Sequence, residues 1–295
     1  MKIGFAGLGQ MGKPMAMNLN KAGIELIVYD VRTESYPAFS AKGIATAASL
    51  NDLADCEIVF LSLPDTHIVE KVLLGQGGLV ELLKPGTIVC DLSTIDYMAS
   101  TRIAQSCESQ GIDFMDAPVT GMEARAIDGT LTVICGGKAE VYELLLPYLK
   151  MIGNNVLHMG KHGSGQLTKA INNILFDINI AAVAEILPMA VKLGLDPEKI
   201  GSVVNSGSGR SYASEFFIPR ILRDHFSDGY PMQHAYKDLI CGAELSSQLG
   251  IPLPVMHAAT TTYQMALLKG LGHEDKGAMA KVFAELLGVQ LGKKG

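Results

Sequence analysis

The sequence predicts an α/β chain in which a doubly wound, mostly parallel sheet is followed by a second, all-helical domain. Three observations predict it. Up to about residue 160, short apolar and β-branched runs alternate with amphipathic stretches, the pattern of strands joined by crossover helices. The first run ends in a glycine cluster, Gly7-Leu8-Gly9-Gln10-Met11-Gly12, where a strand should turn into a helix. After Gly163 the β-branched alternation stops and helical periodicity continues to the C-terminus. The boundaries expected are 1–163 for the first domain and 164–295 for the second.

The strand candidates are Lys2–Ala6, Leu26–Tyr29, Glu57–Leu63, Thr87–Leu92, Asp113–Ala117, Thr130–Cys135 and Asn155–His158. At the first turn, Gly7 permits tight geometry, Gly9 lets backbone approach a pyrophosphate, and Gly12 lets the helix pack close to the strand. The helix N-terminus then offers unpaired N–H groups to phosphate. The next strand ends on Asp30, where a carboxylate can accept from the ribose hydroxyls of an adenosine. Strand, glycines, helix and terminal acid together imply a Rossmann-type domain with a bound NAD-type cofactor. Asp30 would repel a 2′-phosphate and so favours NAD, while Arg32 and Thr33 are residue types that contact one, which leaves NADP open. Two more strand ends, Leu61-Ser-Leu63-Pro64 and Asp91-Leu-Ser-Thr94, either face the nicotinamide half of the cofactor or are ordinary turns.

In the second domain, Gln166 to Leu193 reads as one long apolar helix with a kink at Pro188. Gly194-Leu-Asp-Pro197 is a helix stop and restart, Ser206-Gly-Ser-Gly-Arg-Ser-Tyr212 a glycine- and serine-rich break, and Ile251-Pro-Leu-Pro254 a further separator. A helix this apolar needs cover on several sides, between the domains or at a subunit interface.

Composition excludes several classes. The net charge of −6, with no basic run beyond the short Lys293-Lys294 tail, argues against a nucleic-acid surface. No uninterrupted apolar run of membrane-spanning length is expected, and the apolar start lacks a signal-peptide cleavage pattern. The five cysteines are unpaired in spacing and read as buried hydrophobes in a reducing compartment, hence a cytoplasmic location. The histidines show no ligand spacing, and no metal site is expected.

Lys169, Asn172 and Asn173 fall near the start of the apolar helix, where residues i, i+3 and i+4 share a face. A lysine there is costly unless it reaches solvent, finds an acceptor or gives up its proton. Burial and a helix N-terminus both favour the neutral amine, the condition for a general acid or base. The spacing leaves a solvent-reaching lysine between loop-capping amides equally open.

A wider set of motifs resembles the β-hydroxyacid dehydrogenases: the glycine cluster followed by Pro14-Met-Ala-Met-Asn-Leu19, then Asp91-Leu-Ser-Thr-Ile95, Asp116-Ala-Pro-Val-Thr-Gly121 and Gly129-Thr-Leu-Thr132. Gly163-Ser-Gly165, Lys169-Ala-Ile-Asn-Asn173, Ala184-Glu185 and Lys237-Asp-Leu239 complete it. The family includes 3-hydroxyisobutyrate dehydrogenase, tartronate semialdehyde reductase and succinic semialdehyde reductases. The resemblance spans nearly the whole chain and implies a 6-phosphogluconate dehydrogenase-like fold. It implies hydride transfer between a nicotinamide cofactor and a small anionic 3-hydroxy acid or its semialdehyde. Lys169 would be the catalytic acid/base, Asn173 would hold the substrate, and Thr120 with Gly121 would bind its carboxylate. Leu63, Pro64 and Thr94 would line the nicotinamide and ribose, and Lys237 would reach the cofactor. A homo-oligomer, dimer or tetramer, follows from the same resemblance. Imine reductases, which generally lack the lysine, and non-catalytic cofactor-binding relatives are the disfavoured alternatives.

The sequence departs from the family in one loop, usually Pro-Val-Ser-Gly-Gly followed shortly by Gly-Ala. Here it reads Pro118-Val-Thr120-Gly121-Met122-Glu-Ala-Arg125-Ala126. Met122 in place of glycine is expected to lose the freedom to take positive φ and to add bulk against the substrate. Arg125 brings a permanent charge suited to carboxylate, sulfonate or phosphate. Either it faces solvent or pairs with Glu123 or Asp128, or it reads a second anionic group on a straight-chain or more anionic semialdehyde. Succinic, tartronate and sulfolactaldehyde-type semialdehydes are such substrates.

Overall fold

Six strands lie parallel in one sheet of order β3-β2-β1-β4-β5-β6 in the computed structural model, which describes residues 1–21 and 23–292. They are β1 (Lys2–Ala6), β2 (Glu25–Tyr29), β3 (Ala45–Thr46), β4 (Ile58–Leu61), β5 (Ile88–Asp91) and β6 (Asp113–Asp116). The crossovers carry α1 (Gly12–Asn20), α2 (Tyr36–Ser40), α3 (Thr66–Leu74), α4 (Leu79–Leu82) and α5 (Tyr97–Ser109). Strands β4 and β5 are buried at every residue, as a sheet covered on both faces requires, and so read as unbroken apolar runs. Phe5, Phe60, Met15 and Leu19 fill one face, and Leu53, Val69, Leu73 and Phe114 the other. The strand order reverses at β1 and β4, the switch point at which such sheets bind ligands.

The last strand-like runs do not extend this sheet. Strands β7 (Val119–Thr120), β8 (Leu131–Cys135) and β9 (Gly153–His158) form a second, three-stranded sheet with β7 antiparallel to β8. Only Ala117 and Pro118 separate β6 from β7, far too few residues for a parallel crossover. Helices α6 (Met122–Asp128) and α7 (Ala139–Ile152) complete this part. The sequence pattern does not reveal β3 or β7, because a two-residue strand has no periodicity to read.

Helix α8 (Ser164–Lys192) is continuous across the junction between two compact units, Met1–Lys169 and Ala170–Gly295. The second unit is all-helical, with α9 (Pro197–Ser206), α10 (Tyr212–Ile221), α11 (Met232–Leu249), α12 (Pro254–Leu268) and α13 (Met279–Leu287) after the rest of α8. The Lys293-Lys294 tail lies outside the described residues.

Among the described residues, one helix is long and apolar enough to cross a membrane by length and composition: α8, with 29 residues and a mean hydropathy of 1.9 over its most apolar window, though polar and charged residues interrupt it. Part of it packs into the core of the helical unit. Ile180, Ala184 and Leu187 pack with Phe217 and Tyr263, and its acids find partners within the unit. Asp177 is fully buried and accepts from the Tyr263 hydroxyl at 2.9 Å and from the Lys276 ammonium. Lys276 also lies over the Phe176 ring, 4.4 Å from its centre. Burial outweighs these partners and pushes the Asp177 carboxyl up to about 6. Glu185 accepts from the Thr262 hydroxyl at 3.0 Å.

Candidate active site

Two glycines of the first turn are demanded by the protein itself. Gly7 has φ 97°, and a Cβ there would lie 2.2 Å from the Ser62 carbonyl oxygen. At Gly12 a Cβ would lie 1.9 Å from the Gly7 carbonyl oxygen. Gly9 differs: a Cβ built there meets nothing within 4 Å. The backbone at Gly9 therefore borders open space ahead of α1, whose cap position is Met11 and which has no side-chain cap.

Asp30 holds the turn from the end of β2. Its carboxylate accepts from the Leu8 N–H at 2.6 Å and the Arg32 N–H at 2.8 Å. The Arg32 guanidinium stands 4.0 Å from it and is largely exposed. A cleft of about 420 Å³ opens here, lined by Leu8, Gly9, Gln10, Lys13, Asp30, Arg32 and Glu123 among others. An open glycine backbone at an uncapped helix start, with an acid at the ribose position, fits the phosphates and adenosine of a dinucleotide.

At the carboxyl ends of β4, β5 and β6, buried polar groups join the loops that follow β4 and β5 to α8. The Leu63 N–H donates to Ser93 Oγ at 2.8 Å, and the Ser93 N–H to Asp91 Oδ1 at 3.0 Å. Gln166 Nε2 donates to the Ser93 carbonyl at 2.8 Å, and Gln166 Oε1 accepts from the Ile95 N–H at 3.1 Å. Asp116 caps the start of α8, accepting from the Gly163 N–H at 2.7 Å and the Gln166 N–H at 3.0 Å. Gly165 lets the helix come this close, since a Cβ there would lie 2.3 Å from the Ile134 carbonyl oxygen. Lys169, half-buried, follows Gln166 by three residues on the same side of the helix.

Asp91 and Asp116 are register partners on adjacent strands, both fully buried. Burial pushes the Asp91 carboxyl up to about 7. It raises Asp116 as well, against the backbone N–H groups that favour its charged form. Sequence reasoning missed Ser93 and Gln166. The available signal was polar residues at the ends of wholly apolar strands, which need partners.

In the β7–α6 loop, Thr120 is half-buried, Gly121 has φ 139° and Met122 has φ 62°. The expectation that Met122 gives up positive φ is therefore corrected: the methionine adopts the left-handed backbone despite its Cβ. Neighbouring contacts hold that geometry. Gln10 Nε2 donates to Glu123 at 2.8 Å, and the stem of Arg125 folds across Gly121, where a Cβ would lie 2.9 Å from Arg125 Cδ. Arg125 is exposed, and among the described residues it pairs with neither Glu123 nor Asp128.

Within the helical unit, Asn173 is half-buried and its Nδ2 donates to Asp238 at 3.0 Å. Asn172 and Lys237 are exposed. The 206–212 break ends at Tyr212, 5.7 Å from the Phe176 ring. Among the described residues, no group of three or more His, Cys, Asp or Glu is placed to hold a metal ion. Cys56, Cys90, Cys107 and Cys135 are buried thiols, pushed up by burial to about 11 at Cys56 and about 12 at Cys107 and Cys135.

Residues 2–160 match the family model of the NAD binding domain of 6-phosphogluconate dehydrogenase. Residues 163–283 match that of the NAD-binding domain of NADP-dependent 3-hydroxyisobutyrate dehydrogenase. A 2-(hydroxymethyl)glutarate dehydrogenase of Eubacterium barkeri is 37% identical over 99% of this chain and 97% of its own length. The chain belongs to the β-hydroxyacid dehydrogenase family. It is an NAD(P)-dependent oxidoreductase of hydroxy acids. This β-hydroxyacid dehydrogenase is also 32% identical to a 2-hydroxy-3-oxopropionate reductase of Escherichia coli K12, over 95% of the chain and 96% of that protein. Among solved structures, a 3-hydroxyisobutyrate dehydrogenase from Salmonella typhimurium superposes with a TM-score of 0.85 at 28% identity, covering 96% of this chain and 100% of that one. An imine reductase from Bacillus cereus shares the fold, with a TM-score of 0.62 at 18% identity.

Proposed function

We propose that this β-hydroxyacid dehydrogenase interconverts a small 3-hydroxy acid and its semialdehyde, with Lys169 as general acid/base. The observation that carries the reading is the pinned start of α8, which sets Lys169 one turn beyond the carboxyl ends of β5 and β6. When bound, the nicotinamide supplies or accepts the hydride. Lys169 takes the hydroxyl proton during oxidation and returns it during reduction. Asn173 directs one amide hydrogen at Asp238 and keeps its second N–H for the substrate oxygen. Thr120, through its hydroxyl, and Gly121, through its N–H, take the carboxylate. The Gly7–Gly12 turn, Asp30 and Arg32 hold the dinucleotide, and Leu63, Pro64 and Thr94 its nicotinamide and ribose, with Lys237 a further cofactor residue. Asp30 makes NAD the preferred form.

The test follows NADH and NADPH absorbance against a panel of semialdehydes and 3- and 4-hydroxy acids, with Lys169→Ala as control. Turnover lost in the variant supports the reading, and equal turnover in both proteins refutes the role of the lysine.

A second anionic group on the substrate is favoured by Arg125, which lies across Gly121 and makes no ion pair among the described residues. It is also in keeping with the relative named for 2-(hydroxymethyl)glutarate, a 3-hydroxy acid bearing a second carboxylate. Arg125→Ala should raise KM for such dicarboxylates roughly tenfold or more, the loss of one charge-assisted hydrogen bond, and spare 3-hydroxyisobutyrate. Equal effects on both would sink the idea. We further propose a cytoplasmic dimer or tetramer formed through the helical unit, where Ile171, Leu175, Ile186 and Met189 are exposed along α8. Light scattering decides it, and a monomer at micromolar concentration counts against it.

A further inference from the structure

We infer that Gln166 is a positioning residue that fixes the nicotinamide-facing turn at Thr94 relative to Lys169; this rests on the roles proposed above for those two residues. The primary amide of Gln166 is 2% exposed and makes two bonds of opposite polarity. Its Nε2 donates to the carbonyl of Ser93, and its Oε1 accepts the N–H of Ile95. These are the backbone groups on either side of Thr94, so one side chain grips that residue's turn from both flanks. The backbone of Gln166 is itself fixed, because its N–H is bound by the buried carboxylate of Asp116. Ser93 in turn receives the Leu63 N–H on its hydroxyl, which ties the second nicotinamide loop to the same point.

The path from Thr94 to Lys169 thus runs through one amide pair and one turn of helix, all within the first unit. Lys169 at i+3 lies on the same side of the helix as Gln166. Hydride and proton must move at adjacent atoms of one substrate, and displacement of either partner by about 1 Å can lower the rate on the order of 100-fold. A carboxamide suits this task because it donates and accepts at once, whereas a carboxylate only accepts and an apolar group does neither.

The experiment compares Gln166→Leu and Gln166→Glu with the wild type, below the melting temperature of each. Three quantities are read: kcat and KM, the primary deuterium isotope effect with 4-deuterated reduced cofactor, and the dissociation constant of NADH from its fluorescence. Gln166→Leu should lower kcat roughly 10- to 100-fold with little change in KM for the hydroxy acid, and should raise the isotope effect as hydride transfer becomes limiting. Gln166→Glu supplies the second readout. With its introduced carboxyl protonated it can both donate to Ser93 and accept from Ile95; ionised, it cannot donate. The groups facing it are the buried Asp91 and Asp116, the half-buried His162 and Lys169. Burial and the neighbouring Asp116 carboxyl group favour the protonated form, so the ratio of variant to wild-type kcat should rise as pH falls. Gln166→Leu should show no such recovery.

Wild-type kcat and isotope effect in Gln166→Leu would overturn the proposal, as would a pH-independent ratio in Gln166→Glu. Should Gln166→Leu fail to fold, the pH ratio of Gln166→Glu decides alone. If the wild type turns over nothing on the panel, the proposed function fails, and NADH affinity then judges Gln166. A loss of about tenfold in Gln166→Leu keeps the clamp on Thr94, and unchanged affinity removes it.

Discussion

Gly9→Ala separates what the fold needs from what the cofactor needs. A Cβ at Gly9 meets no protein atom within 4 Å, and its φ is outside the left-handed range, so the folded state accepts alanine without strain. Alanine also lowers the entropy of the unfolded chain, a gain of about 0.4–1 kcal/mol. The melting temperature should hold or rise by up to about 4 °C. Affinity should move the other way. The methyl group enters the space where phosphate oxygens meet backbone N–H groups, and each charge-assisted hydrogen bond lost costs about 1.5–3 kcal/mol. That corresponds to a roughly 10- to 150-fold rise in the NADH dissociation constant. Gly12→Ala is the contrast, since its Cβ would lie 1.9 Å from the Gly7 carbonyl oxygen. Backbone must shift there, at a cost of about 1–3 kcal/mol or more, and the variant should melt earlier. Thermal melts and NADH titrations of both variants read the two effects separately. A Gly9→Ala protein that binds NADH like the wild type would show that the pyrophosphate does not lie on this turn.

Other perturbations test the energetics. Met122→Gly relieves a left-handed methionine worth about 1–2 kcal/mol and loses about 0.4–1 kcal/mol to unfolded-state entropy; the melt should rise by a few degrees, and a fall would deny the strain. For Asp91 the folded carboxyl titrates at about 7 against an ordinary 3.8. The folded state therefore holds its proton more tightly, and the stability contributed by this group falls as pH rises from about 4 to 7, then levels. Asp91→Asn removes that dependence, so urea melts at pH 4.5, 6 and 8 should show the variant gaining on the wild type with pH; a constant difference contradicts this. Lys276→Met leaves Asp177 buried without its cation and should cost about 3–5 kcal/mol. The double change Asp177→Leu with Lys276→Met should recover most of it, and additive losses would mean the pair is not coupled.

What was legible in the sequence is what local chemistry enforces. Gly12 could be read because the Gly7 carbonyl five residues away in the same turn requires it, and Gly7 because the tight turn needs its positive φ, although the Ser62 carbonyl that also excludes a Cβ there is far away in the chain. The long helix could be read because a mostly apolar stretch of this length, 29 residues in the structure, is too long for a strand. The clamp on Thr94 could not. Gln166 meets Ser93 across 73 positions and Lys276 meets Asp177 across 99, and no window of sequence contains both partners. Met122 was misjudged for a different reason. Propensity says a methionine avoids positive φ, but the Gln10–Glu123 bond and the stem of Arg125 over Gly121 hold the loop to one backbone path.

The distribution of helix caps in the first unit bears on where anions can bind. Asp65 accepts from the Ile68 N–H at the start of α3, and Asp96 from the Ala99 N–H at the start of α5. Asp116 does the same for α8. Those three helix starts already hold a carboxylate, which satisfies their N–H groups and repels another anion. Helix α1 has Met11 at its cap position and α6 has Gly121, and neither carries a side-chain cap. The one acid in the first turn of α6, Glu123, is drawn aside by Gln10. Two anions must be accommodated by the proposed chemistry, the cofactor pyrophosphate and the substrate carboxylate. The starts of α2, α4 and α7 also lack a side-chain cap, but it is the uncapped turns before α1 and α6 that follow the glycine cluster and the Thr120-Gly121 pair to which the reading assigns the two anions.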